Sequence, residues 1–110
     1  MDLEIQSSPV GDWTVLKLDG EVDIYTAGKL RDAVNEAVEN SRYRLAVDLA
    51  DMEFMDSSGL GVLIAALKRL KEHDGELVLV SPRDQMRRIL KLTGLDKILT
   101  IAQRLDEVTA

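Results

Sequence analysis

Cysteine is absent from the 110 residues. Disulfides, thiolate metal sites and a cysteine nucleophile are thereby excluded. Histidine occurs once, as His73. Long apolar runs are missing too. The longest, Leu60 to Leu67, spans eight residues, against the roughly 20 a membrane helix needs. Met1-Asp2-Leu3-Glu4 lacks the basic segment of a signal peptide. A soluble, cytoplasmic protein with no membrane partner is therefore expected. Basic charge is also short: 14 Lys and Arg face 20 Asp and Glu, a net charge of −6. Phosphate contacts need Lys and Arg, so nucleic acid is not an expected partner. The imbalance is local. Residues 1–56 carry thirteen acids and five bases, whereas residues 57–110 carry seven acids and nine bases. A basic surface on a protein partner suits the acidic half.

What is present fits one domain spanning 1–110, with 45% apolar residues, enough for one core and too many for a disordered chain. Its most informative stretch is Phe54-Met55-Asp56-Ser57-Ser58-Gly59-Leu60-Gly61-Val62-Leu63. Apolar residues at Leu60, Leu63, Ile64, Leu67 and Leu70 have helical spacing. One of the two serines is expected as N-cap, its hydroxyl accepting from an orphan first-turn amide. The other then stands at the positive end of the helix dipole, where a negative group is favoured. Gly59 and Gly61 are expected to clear bulk from that turn, so that another molecule approaches the backbone. Each costs roughly 0.5–1 kcal/mol of helix stability relative to Ala, which local stability alone does not ask for.

The rest of the chain alternates strands and helices. Leu3 to Ser7 and Trp13 to Leu18 read as a hairpin around the turn Pro9-Val10-Gly11-Asp12. Asp19-Gly20-Glu21 reads as a turn before a short extended piece, Val22-Asp23-Ile24. Thr26 is the expected cap of a helix with its apolar stripe at Leu30, Ala33, Val34, Ala37 and Val38. Arg44 to Leu49 is expected as a central strand. The serine helix is expected to run to about His73, with Gly75 as its C′ residue. Leu77 to Val80, apolar on both faces, suits a buried parallel strand. Ser81-Pro82-Arg83-Asp84 reads as cap, N1 proline and N3 acid of a helix closed by Thr93-Gly94-Leu95. Ile98 to Ala102 reads as an edge strand and Leu105 to Thr109 as a terminal helix. This order predicts an α/β layer. Loops at the carboxyl ends of parallel strands gather on one edge of such a sheet, so Asp23 would lie beside Asp56 and Ser57 if the short strand before it runs parallel to Arg44–Leu49.

Several chemistries do not fit. His73 lies roughly 24 Å along the helix from Ser57 at 1.5 Å per residue, too far to be its base. The G-x-S-x-G elbow of a serine hydrolase is missing. No Gly-Lys-Ser/Thr follows the glycines, and Ile64 stands where a dinucleotide fingerprint needs a third glycine. Asp48, Asp51, Glu53 and Asp56 leave a receiver-like aspartyl-phosphate or Mg²⁺ pocket as an alternative. Trp13 and Tyr25 read as packing residues, with a partner-binding rim as the alternative for Tyr25. His73 reads as a solvated residue favouring a helix C-terminus.

Met55 to Leu63 resembles the signature of the bacterial anti-sigma-factor antagonists (anti-anti-sigma factors), a STAS domain family, and Gly20-Glu21-Val22-Asp23-Ile24-Tyr25-Thr26-Ala27 matches the family's second signature. The likeness runs from about residue 3 to the C-terminus. It implies the STAS fold: a mixed β-sheet of about four to five strands, parallel in its core, with flanking α-helices. It implies a regulator and not an enzyme, with no cofactor and no metal. The unphosphorylated form would bind an anti-sigma factor with serine kinase activity and release a sigma factor. Phosphorylation of Ser57 would end that binding, and a PP2C-type phosphatase would restore it. Carried over by position, the partner-binding residues would be Asp23, Tyr25, Thr26, Asp56, Ser57, Ser58, Gly59, Leu60 and Gly61. The family often has proline where this chain has Gly28, which would loosen the start of that helix. A STAS scaffold subunit, with the serine a mere cap, and a receiver-like phosphotransfer domain are the rival readings.

Overall fold

The structure is a computed structural model and describes residues 2–109. Five strands form one sheet in the order β1-β2-β3-β4-β5: Leu3–Val10, Trp13–Val22, Arg44–Met55, Glu76–Val80 and Thr100–Ala102. The β1–β2 pair is antiparallel and every later pair is parallel. Helices α1 (Ala27–Glu39), α2 (Ser57–Lys71) and α3 (Asp84–Leu92) connect the parallel strands, and the short α4 (Asp106–Thr109) closes the described chain. Mixed sheet, parallel core and flanking helices are as the sequence led us to expect.

The core lies on one face. Alternate residues Leu16, Leu18, Leu45, Val47, Leu77 and Leu79 point to the side that also buries Leu30, Leu63, Leu70 and Leu90 from the three long helices. Period-two strands meeting period-3.6 helices leave one contiguous apolar layer. A second, smaller cluster lies on the opposite face, in keeping with the expected burial of β4 on both sides. Val15, Ala46, Val78 and Val80 are buried there, packed against Trp13, Leu105 and Val108. Beyond α4 that face is polar, with Gln6, Lys17, Asp19 and Asp51.

Four local expectations are corrected. Asp19-Gly20-Glu21 is not a turn, because β2 continues through it to Val22. Gly20 has φ +118, and a Cβ there would sit 2.2 Å from the Asp2 carbonyl oxygen, which accepts from Glu21 N–H at 3.1 Å. The glycine serves close approach of two backbones. β3 likewise overruns Leu49 and reaches Met55, accommodating two register shifts against β2. Asp74, not Gly75, is the left-handed residue after α2 (φ +56), and Gly75 N–H donates back to Leu70 O at 2.8 Å. That is a Schellman ending, with Gly75 required because a Cβ would meet Tyr43 O at 2.2 Å. Finally, Ser81 does not cap α3. It has φ +54, its hydroxyl donates to Gln103 O, and the helix starts at Asp84. His73 is exposed, as expected, and additionally stacks on Tyr43 with ring centroids 4.2 Å apart.

Candidate functional site

Val22 and Met55, the last residues of β2 and β3, are register partners, and Asp56 N–H donates to Val22 O at 3.0 Å. Two turns therefore start side by side at the carboxyl edge, one at Asp23 and one at Asp56. The expected juxtaposition is present.

At the second turn the N-cap is Asp56, not a serine. Its backbone is extended and its carboxylate accepts from Ser58 N–H at 2.8 Å. The acid is the better-placed acceptor because both serines already lie inside the helix, as its first two residues. Ser57 is exposed, and among the described residues nothing in the protein hydrogen-bonds its hydroxyl. Ser58 is half-buried. The two glycines divide their roles. Gly59 is buried, and a Cβ on it would lie 2.5 Å from Met55 Cγ and 2.7 Å from Val22 Cγ1. It serves packing of the helix onto the strand ends, contrary to the access role expected for it. Gly61 is exposed and faces open space, as expected. Leu60 is half-buried against the main core.

The first turn is tied by its own polar groups. Asp23 Oδ1 accepts from Tyr25 N–H at 2.8 Å and Thr26 N–H at 3.0 Å. The Thr26 hydroxyl, on a side chain only 4% exposed, accepts from Asp23 N–H at 2.9 Å and donates to Glu21 O at 2.8 Å. Thr26 thus occupies the cap position of α1 without a side-chain cap bond. Its hydroxyl instead braces the loop backward. Partial desolvation pushes the Asp23 carboxyl up, but the bonds from Thr26 N–H, Tyr25 N–H and the Thr26 hydroxyl outweigh it, so its pKa is lowered. The tip of this turn is apolar and open: Ile24 is 72% exposed and Tyr25 90%. Tyr25 is not a packing residue. Nearby Phe54 is 42% exposed at the end of β3. Ile24 and Phe54 escaped the sequence reading. The signal for Ile24 was its place inside an Asp-x-x-Thr turn, where it cannot face the core.

The acids do not form one pocket. Asp48 accepts from Ala50 N–H, Asp51 pairs with Lys17 at 3.3 Å, and Asp56 caps α2. Among the described residues no group of three or more His, Cys, Asp or Glu is placed to hold a metal. A receiver-like site has no support in this geometry.

Two aspartate-led turns thus share one edge of a parallel-cored sheet, and one of them carries an open serine. The chain belongs to the STAS domain family, whose model matches residues 2–108. It is 39% identical over 82 residues to the anti-sigma-B factor antagonist of Listeria monocytogenes, covering 74% of this chain and 72% of that one. A crystal structure of a candidate anti-sigma factor antagonist from Thermotoga maritima superposes with a TM-score of 0.89 at 31% identity, over 94% and 89% of the two chains. An anti-sigma factor antagonist from Mycobacterium paratuberculosis gives 0.87 at 31% identity, over 96% and 90%. Within the family, this chain falls among the anti-sigma factor antagonists. Among the described residues, no helix is long and apolar enough to cross a membrane.

Proposed function

We propose that this chain is a phosphorylation-gated anti-sigma factor antagonist, with Ser57 as the switch. The observation that carries the reading is the Ser57 hydroxyl: exposed, unbonded, at the first position of α2 and beside the braced Asp23 turn. In the unphosphorylated form, Asp23, Tyr25, Asp56, Ser57, Ser58, Leu60 and Gly61 form the face that an anti-sigma factor in the cytoplasm binds, with the buried Thr26 and Gly59 supporting it from beneath. The partner is itself a serine kinase. It breaks the β–γ bridging P–O bond of its ATP, forms the bond from phosphorus to Ser57 Oγ, and takes up the hydroxyl proton. No catalytic step belongs to this chain. Phosphoserine carries about −1.5 to −2 charges at pH 7. The helix N-terminus tolerates that charge, but Asp23 and Asp56 then surround it with like charge on a surface shaped for a small hydroxyl. The partner dissociates, and a PP2C-type phosphatase resets the site.

The test is incubation of the protein with ATP and its cognate anti-sigma kinase, followed by intact mass and peptide mapping. One phosphate on Ser57, stable to alkaline hydroxylamine, is expected. Ser57→Ala should bind and not be released, and Ser57→Asp should bind poorly. Phosphate on Ser58, or a hydroxylamine-labile aspartyl phosphate, would contradict the assignment.

A further inference from the structure

A groove of about 330 Å³ runs between α1 and α2, starting beside the serine turn. Ser58 and Gly61 line its upper end, and Val34, Val62 and Ala66 supply apolar lining. Arg31 and Arg69 flank it. Arg69 donates to Asn35 Oδ1, across the groove. Among the described residues neither guanidinium has a carboxylate within ion-pair distance. Other arginines among the described residues are free of ion pairs too, but these two flank the same apolar groove. The local sequence keeps the groove cationic. α2 has no acid in its 15 residues. Of the three acids of α1, Asp32 and Glu36 face the other flank, towards Ile5 and Ser7 of β1, and Glu39 stands one turn beyond Asn35, outside the groove lining. From Ser58 to Arg69 the groove wall is about 16 Å long, by the 1.5 Å rise of a helix.

We infer that this groove seats a second segment of the same anti-sigma partner: a short apolar strip flanked by acidic side chains. The inference rests on the functional reading above. Two observations favour this occupant. The groove is continuous with the serine turn, since Ser58 belongs to both. Its charge is also opposite to that of the adjoining edge, where Glu21, Asp23, Glu53 and Asp56 cluster at the ends of β2 and β3. The partner then meets a surface with two poles. Its basic side faces Asp23 and Asp56, and its acidic side faces Arg31 and Arg69. A reversed approach would set like charges against each other, so the pair of poles fixes docking orientation as well as adding contact area.

The experiment is titration calorimetry of the unphosphorylated protein with its cognate anti-sigma factor, with thermal melts to verify folding. Arg31→Glu combined with Arg69→Glu should weaken binding by about 30-fold or more, and Ala65→Trp, which fills the groove from an exposed position, by about tenfold. Lys91→Glu combined with Lys97→Glu changes net charge equally at exposed positions and should stay within about twofold of wild type. Should the glutamate pair fail to fold, Arg31→Gln with Arg69→Gln takes its place. Groove variants that bind as well as the lysine control overturn the inference while leaving the Ser57 reading intact. Loss with Ala65→Trp but not with the arginine variants overturns the acidic nature of the occupant. A wild-type protein that binds no anti-sigma factor removes the functional reading, and this inference with it.

Discussion

The two turns at the sheet edge begin alike and are stabilised differently. Each follows a strand that ends on a register partner of the other, and each opens with an aspartate whose carboxylate accepts the amide two residues on, at 2.8 Å in both. From there they diverge. The Asp23 turn adds the buried Thr26 hydroxyl, which bonds both Asp23 N–H and Glu21 O. It holds Ile24 and Tyr25 out in solvent on a rigid base. The Asp56 turn has one side-chain bond and then becomes helix, leaving the Ser57 hydroxyl free. A surface that must present a fixed apolar shape needs bracing. A group that must accept a phosphate needs an unoccupied oxygen and room around it. On the function proposed above, the braced turn would serve as a docking element and the open one as a switch.

Removing the brace should erase that contrast most strongly. Thr26→Val keeps shape but leaves Asp23 N–H and Glu21 O without their partner in a site that is 4% exposed. A loss of about 2 kcal/mol is expected in chemical denaturation, with faster amide exchange at Tyr25 and Ala27. Thr26→Ser, which keeps the hydroxyl, should recover most of it. An unchanged denaturation midpoint for the valine variant would show that the network does not hold the loop.

Next in size is the pair of glycines in the second turn. Gly59→Ala forces a methyl against Met55 and Val22, both buried. Overpacking of about 1–3 kcal/mol should outweigh the helix-propensity gain of about 1 kcal/mol. Gly61→Ala meets nothing within 4 Å, so it should stabilise by up to about 1 kcal/mol. Opposite signs from the same substitution two residues apart, read as melting temperatures, would separate a packing glycine from an access glycine. Smaller again is Asp56→Ala, which removes the one cap bond of α2 and should cost about 1 kcal/mol, with Asp56→Ser nearly neutral.

The sequence disclosed the layer order because strand and helix periods are strong signals, and Leu45-Ala46-Val47-Asp48-Leu49 alternates in the structure as it does on paper. The meeting of Asp23 with Asp56 followed from topology alone. What stayed hidden depended on contacts between distant segments. Asp19-Gly20 carries the composition of a turn, and only the Asp2 carbonyl, eighteen residues upstream, reveals why glycine is there. Gly59 looks like Gly61 in the sequence, and its neighbours Val22 and Met55 decide otherwise. The cap was misassigned because aspartate and serine are near-equal N-caps, and the strand β3 runs further than its apolar alternation suggests. Arg31 and Arg69 are 38 residues apart, so their groove exists only once α1 and α2 pack.

The smallest effect expected is a pH dependence that separates the braced turn from an ordinary surface pair. Asp23 has its pKa lowered below the ordinary 3.8, its hydrogen bonds outweighing desolvation. Asp2 is lowered too, first by the hydrogen bond from Lys29 Nζ at 3.2 Å and then by that from Leu3 N–H. A carboxyl more acidic in the folded than in the unfolded chain stabilises the fold above the unfolded pKa. That contribution fades as pH falls below about 4 and is gone once the folded group is protonated. Both sites are open to solvent, so the slope should be shallow. Salt should distinguish them. The Asp2 contribution depends on a charged partner and should shrink at high ionic strength. That of Asp23 comes chiefly from neutral N–H and O–H donors within its own turn and should largely persist. In Asp23→Asn, therefore, a mainly salt-resistant part of the acid-side loss in stability should vanish, whereas Asp2→Asn should remove a mainly salt-sensitive part with a smaller salt-resistant remainder from the Leu3 N–H bond. Equal salt sensitivity in both variants would mean that the Asp23 turn responds to distant charge, and the contrast between the two turns would then rest on packing and not on local hydrogen bonds.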